Sequence, residues 1–138
     1  MPSAVDTNIL VRLLVDDGSG QVSPARQVFA DGPVFVPVSV VLESEWVLRS
    51  TFGFRRAQIC DAFERVLGLA SITVQDDHIV ESAVASCRRG LDFADALHLH
   101  SSAESDVFYT FDGPFIRKAR RTNSTPTVRR PSISKHGS

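Results

Sequence analysis

Short apolar runs alternate with helix-like stretches along the chain, and this alternation limits the fold more than any other feature of the sequence. Residues 3–5, 34–36, 71–74 and 107–110 are strand-length runs, and 127–129 reads as an added edge strand. Between them lie helical signals. A helix starts near Ile9, and Asp16-Asp17-Gly18-Ser19-Gly20 breaks it. Ser23 before Pro24 pairs an N-cap with a first-turn proline and opens a helix over 24–30. Ser39 is expected to cap a helix over 40–51. Residues 55–67 put Ile59, Ala62, Phe63, Val66 and Leu67 on one apolar stripe. Asp77 is expected to cap a helix reaching residue 89, with Gly90 just past its end. Asp92 opens the next, over 92–103, and a last helix covers 114–121. Strands and helices taken in turn predict an α/β fold. Its central, mostly parallel sheet of four to five short strands is flanked by helices in three layers.

A chain of 138 residues suits one core and is too short for two ordinary ones. The expected domain covers 1–130, and residues 131–138 read as a disordered tail. Hydrophobic residues at 43% and charged residues at 22% are the balance of a globular, soluble protein. No apolar run reaches the ~20 residues of a membrane span, and the N-terminus has neither the basic nor the apolar segment of a signal peptide. A cytoplasmic protein with no membrane association is expected. Cys60 and Cys87 are spaced for neither a metal knuckle nor a redox pair, and read as two core thiols.

The acids carry the chemistry. Asp6, Asp92 and Asp112 stand after strands or at helix starts, and Glu43 and Asp95 lie one turn into helices. Parallel strands bring their carboxyl ends to one edge, where sites of such folds collect. Four carboxylates held together repel, by about 4 kcal/mol per pair at ~4 Å and an effective dielectric near 20. Nothing nearby in sequence supplies a compensating Lys or Arg, whereas Mg²⁺ or Mn²⁺ would, and such an ion would activate a water against a phosphodiester. A plainer reading stands beside this one. Asp92 and Asp95 suit a helix start, Asp112 before Gly113-Pro114 suits a turn, and Glu43 with Glu45 suits a solvated helix face. His98 and His100, two apart on a helix, cannot share a ligand.

Four segments in order resemble the motifs of PIN domains, and specifically of VapC-type toxins. They are VDTNIL at 5–10, SVVLESEWVLR at 39–49, LDFADALH at 91–98 and YTFD at 109–112. The resemblance implies a PIN-like three-layer fold and a metal-dependent ribonuclease, the toxin of a type II toxin–antitoxin pair. It implies Asp6, Glu43, Asp95 and Asp112 as the catalytic acids. Asp6 and Asp95 are the first expected metal ligands, and Glu43 and Asp112 complete the set around Mg²⁺ or Mn²⁺. Glu45 competes with Glu43 for the second place. Asp92 fits an accessory acidic position, and Asn8 and Thr110 fit polar partners that orient carboxylates. The implied partners are an RNA substrate, a cognate antitoxin and a second copy of the chain, with Trp46 or Phe63 on the dimer face. The alternative is a catalytically silent PIN-like module that binds RNA or protein.

Charge is unevenly distributed. All 16 acids and 8 of the 15 Lys and Arg lie in residues 1–112, while 113–138 hold the other 7 bases and no acid. Arg117, Lys118, Arg120 and Arg121, with Arg129 and Arg130, are the expected grip on RNA phosphates.

Overall fold

Parallel strands can pair only after a crossover returns the chain to the starting end of the sheet. The computed structural model, which describes residues 1–15, 23–122 and 125–133, obeys that rule throughout. Its elements are β1 (Ser3–Ala4), α1 (Thr7–Leu14), α2 (Pro24–Asp31), β2 (Val34–Val36), α3 (Val38–Ser50), α4 (Arg56–Leu67) and β3 (Ile72–Val74). They continue as α5 (Asp77–Arg88), α6 (Phe93–Ser101), β4 (Val107–Tyr109), α7 (Gly113–Arg121) and β5 (Thr127–Arg129). Every pairing is parallel. β1, β2 and β3 form one sheet in that order, with Ser3 opposite Val34 and Val36 opposite Val74. β4 and β5 pair separately, Tyr109 opposite Arg129.

The α/β class, the parallel pairing and the edge strand at 127–129 agree with the sequence. The small parallel sheet flanked by helices agrees as well, its five strands arranged as three and two. β1, at the edge of the larger sheet, is two exposed residues long. The middle strand shows the opposite extreme: Val34 and Val36 are almost wholly buried, as a parallel strand covered on both faces must be.

Helices close the core. The stripe on α4 is buried at Ile59, Ala62, Phe63 and Val66, with Leu67 half-buried. Phe63 packs its ring 5.3 Å from that of Phe93 on α6, in the core, while Trp46 is exposed. Arg56 ties α4 to the connection between α5 and α6: its guanidinium donates to the carbonyls of Cys87 at 2.9 Å and Leu91 at 2.7 Å. Such a cation satisfies carbonyls that a helix end leaves free. α7 packs on the small sheet through Phe115, whose ring lies 5.5 Å from that of Phe108.

Local signals were followed where they were strong. Ser23 Oγ accepts the Arg26 N–H at 3.2 Å, with Pro24 first in α2. Gly90 follows α5 at φ 112°, a conformation side chains resist. Ser39 is not a cap, because α3 begins earlier, after Pro37, and the Val38 N–H goes to Gln75 Oε1 at 3.0 Å. Asp77 is not one either: Asp76 takes the N-cap place of α5 in the left-handed region at φ 52°. The expected break at 16–20 and residues 134–138 of the expected tail lie outside the described residues. Among the described residues no helix is long and apolar enough to cross a membrane.

Leu48 on α3 is completely buried. Leu48→Ala should cost about 2–5 kcal/mol in urea unfolding, the usual range for a leucine cavity in a tight core.

Candidate functional site

A helix begins with N–H groups that have no partner within the helix, and three aspartates of this chain supply one. Asp6 Oδ1 accepts from the Ile9 N–H at 3.2 Å, Asp92 Oδ2 from Asp95 at 3.2 Å, and Asp112 Oδ1 from Phe115 at 3.0 Å. They are the N-caps of α1, α6 and α7. Carboxylates are favoured there both by the hydrogen bond and by the positive end of the helix dipole. Thr110 serves the same turn from the other side. Its Oγ1 accepts the Asp112 N–H at 3.1 Å, and its own N–H extends the small sheet by donating to the Arg129 carbonyl at 3.1 Å.

Asp92, Asp95 and Asp112 line one open pocket of about 350 Å³, together with Leu91, Pro114, Phe115 and Lys118. Burial pushes the pKa of Asp95 up, and the neighbouring charges of Asp92 and Asp112 push it further, while His98 and Lys118 pull it back. Lys118 is thus the compensating cation that the sequence was not expected to supply. It lies two turns into α7, and packing α7 beside α6 brings it to the acids.

The other expected acids lie elsewhere. Neither Asp6 nor Glu43 lines this pocket, and both are exposed. Asn8 is exposed in the first turn of α1. Glu45 is buried, and its Oε1 accepts from Arg49 Nε at 3.0 Å. It shares a small pocket with Arg49, Arg56 and Asp92. Two positions on a helix turn a side chain by about 200°, so Glu43 and Glu45 face opposite ways, and the inward one is Glu45.

Among the described residues no group of three or more His, Cys, Asp or Glu is placed to hold a metal ion. This overturns the expected Mg²⁺ or Mn²⁺ centre, and with it the metal-dependent ribonuclease and hydrolase reading. The physical reason is the capping. Asp6, Asp92 and Asp112 each turn one oxygen to a different helix end, and Asp6 and Glu43 lie outside the pocket that Asp92, Asp95 and Asp112 line, so the expected four-acid set is not assembled at one point. His98, Lys118 and the helix N-termini offset part of the repulsion, and the rest shows as the raised pKa of Asp95.

The remaining reactive groups are structural. Cys60 and Cys87 are both free and buried, as the sequence suggested. Burial, with Cys60 beside it, holds the Cys87 thiol up at about 12, far from a nucleophilic thiolate at neutral pH. Ser86 Oγ lies 2.7 Å from His100 Nε2, and burial lowers the pKa of that imidazole.

Among the described residues the arginines divide into those held by acids, Arg49 and Arg88, and those exposed without one, which include Arg12, Arg55, Arg65 and Arg89 on the body as well as the arginines at the end of the chain. On the body, Arg88 is held by Asp61 at 2.6 Å and Glu64 at 2.8 Å, and Arg49 by Glu45. Among the described residues Arg117, Arg120, Arg121 and Arg129 make no such salt bridge, and all four are exposed.

A parallel α/β core with helix-capping acids at its strand ends is the architecture these residues define. The chain belongs to the PIN-domain family, whose model matches residues 4–121. No curated protein and no solved structure matches it.

Two measurements check this site. A carboxyl with a raised folded pKa adds stability only while protonated, fully below its unfolded value near ~4, and loses it as pH rises through the folded value. Asp95→Asn should therefore melt above the parent protein at pH 7, with the gap closing below about pH 4. A parent that melts higher at pH 7 would contradict the crowding of Asp95. On α3, Glu45→Ala should cost about 1–2 kcal/mol through its lost charged hydrogen bond, and Glu43→Ala no more than about 0.5 kcal/mol. Equal costs would contradict the inward placement of Glu45.

Proposed function

We propose that this chain is a catalytically silent PIN-family module that binds RNA through the basic end of the fold. One observation carries the reading: among the described residues no group of acids is placed to hold a metal ion, Asp6, Asp92 and Asp112 being helix caps, whereas the arginines of α7 and β5 are exposed and unpaired by acids. Unpaired surface cations are what phosphate binding draws on, because each one that meets a phosphate releases a counterion from the nucleic acid. On the body, Arg88 and Arg49 are paired with acids and Arg56 is tied to two carbonyls, while Arg12, Arg55, Arg65 and Arg89 are exposed without a salt bridge among the described residues; the basic end is favoured because residues 113–138 hold seven bases and no acid. Arg117, Arg120 and Arg121 are the main phosphate-binding groups, with Lys118 at the boundary with the acid pocket.

Within the family, the segment at 39–49 supports kinship with the VapC-type branch, as descent and not as activity. A cognate antitoxin and a homodimer, which that kinship implies, belong to the same proposal. Protein binding without RNA binding is the competing reading, and the test separates them.

Labelled RNA incubated with the purified protein and Mg²⁺ should remain intact, and should shift in a binding assay. Affinity should fall with salt. Arg120→Ala combined with Arg121→Ala should weaken binding and reduce the slope of log affinity against log salt by about 1.4, at ~0.7 for each single-strand phosphate left without its arginine. Metal-dependent cleavage, or no RNA binding at low salt, would overturn the reading.

A further inference from the structure

The small sheet has two faces with different chemistry. Phe108 and Val128 turn toward α7, where Phe108 meets Phe115 and Val128 is buried. Strand alternation sends their neighbours Tyr109 and Arg129 to the other face. These two are register partners, and the Arg129 guanidinium sits 5.7 Å from the centroid of the Tyr109 ring. Tyr109 is 57% exposed, and Phe111, two residues on, is 71% exposed. Arg130 donates to the Phe111 carbonyl at 2.9 Å, which fixes the backbone that carries the second ring.

Two large aromatic side chains in water, beside two arginines, require a partner that suits both. An apolar protein surface would cover the rings but would bury or displace the guanidinium groups. A second copy of the chain, docked symmetrically, would bring Arg129 and Arg130 against their own kind. A nucleic acid strand satisfies both features, since its bases offer π-faces to the rings and its phosphates offer charge to the arginines. Duplex RNA hides its base faces inside the stack, so only a single strand can use the rings.

We propose that Tyr109 and Phe111 form a base-stacking platform for single-stranded RNA, flanked by Arg129 and Arg130 as phosphate-binding groups. This rests on the reading of the chain as an RNA-binding module and adds which form of RNA it takes. The strand continues from the arginines of α7 around the end of the small sheet onto this outer face. Base identity matters little, because every base has a face to stack.

The test uses a fluorescent single-stranded oligouridine and a duplex RNA of equal length, with the full-length chain. The parent should prefer the single strand. Tyr109→Ala and Phe111→Ala should each weaken single-strand binding roughly 5- to 100-fold, the usual cost of unstacking one base. They should leave the salt slope unchanged, since every arginine still meets its phosphate. Tyr109→Phe should bind as the parent does, because stacking needs the ring and not the hydroxyl. Circular dichroism confirms that each variant is folded. If the parent binds RNA with a normal salt slope and both alanine variants match it, the platform is wrong while the module reading stands. If the parent binds no RNA at all, both fall. If the alanine variants instead abolish a concentration-dependent dimer and leave RNA binding intact, the face belongs to a second copy of the chain and the platform is wrong.

Discussion

The fold depends on one geometrical obligation: each parallel strand must be followed by a crossover before the next can pair beside it. Here the crossovers are helical, so helices start close to strand ends at β1 and again at β4. Each start exposes N–H groups that need an acceptor. Asp6 and Asp112 stand at those two starts, and Asp92 at the start of α6. The acids of the fold are thus required by its backbone before they are available to any ligand. That ordering explains how a chain can carry the acid pattern of a nuclease family without gathering the acids around an ion.

The pocket beside α6 illustrates how the charges are reconciled. Asp95 is crowded by two carboxylates and partly withdrawn from water. Lys118 and the N-termini of α6 and α7 offset that crowding without covalent or metal chemistry. Positive charge gathers beyond the pocket, on α7 and β5, although the whole chain carries a formal net charge of −1. An acidic pocket next to a basic end would steer a polyanion along one side of the molecule and away from the other.

Much of this architecture was legible in the sequence, and the exceptions have physical causes. The signals at Ser23-Pro24 and Gly90, and the stripe on α4, act within a turn of their own position, so they read correctly. The start of α3 did not, because its N–H acceptor, Gln75, lies 37 residues away. The arrangement of the five strands as three and two is a matter of long-range pairing, which local periodicity does not specify. The site was legible in composition but not in arrangement. Asp92 and Asp112 read equally well as caps and as ligands, and only the direction of their oxygens decides between them. Lys118 was counted with the basic end, and only helix packing showed it facing the acids. Glu43 and Glu45 differ by which side of α3 faces inward, a rotation that an apolar stretch such as 38–48 leaves poorly marked.

The two buried thiols lie on facing helices, Cys60 on α4 and Cys87 on α5, and neither reacts readily while that pair is closed. Their sulfur atoms therefore act as a built-in clock of breathing. An alkylating reagent modifies them only when the packing around them opens, so the labelling rate follows local opening of the core there. Trp46, already exposed in the folded chain, would report little of the same event.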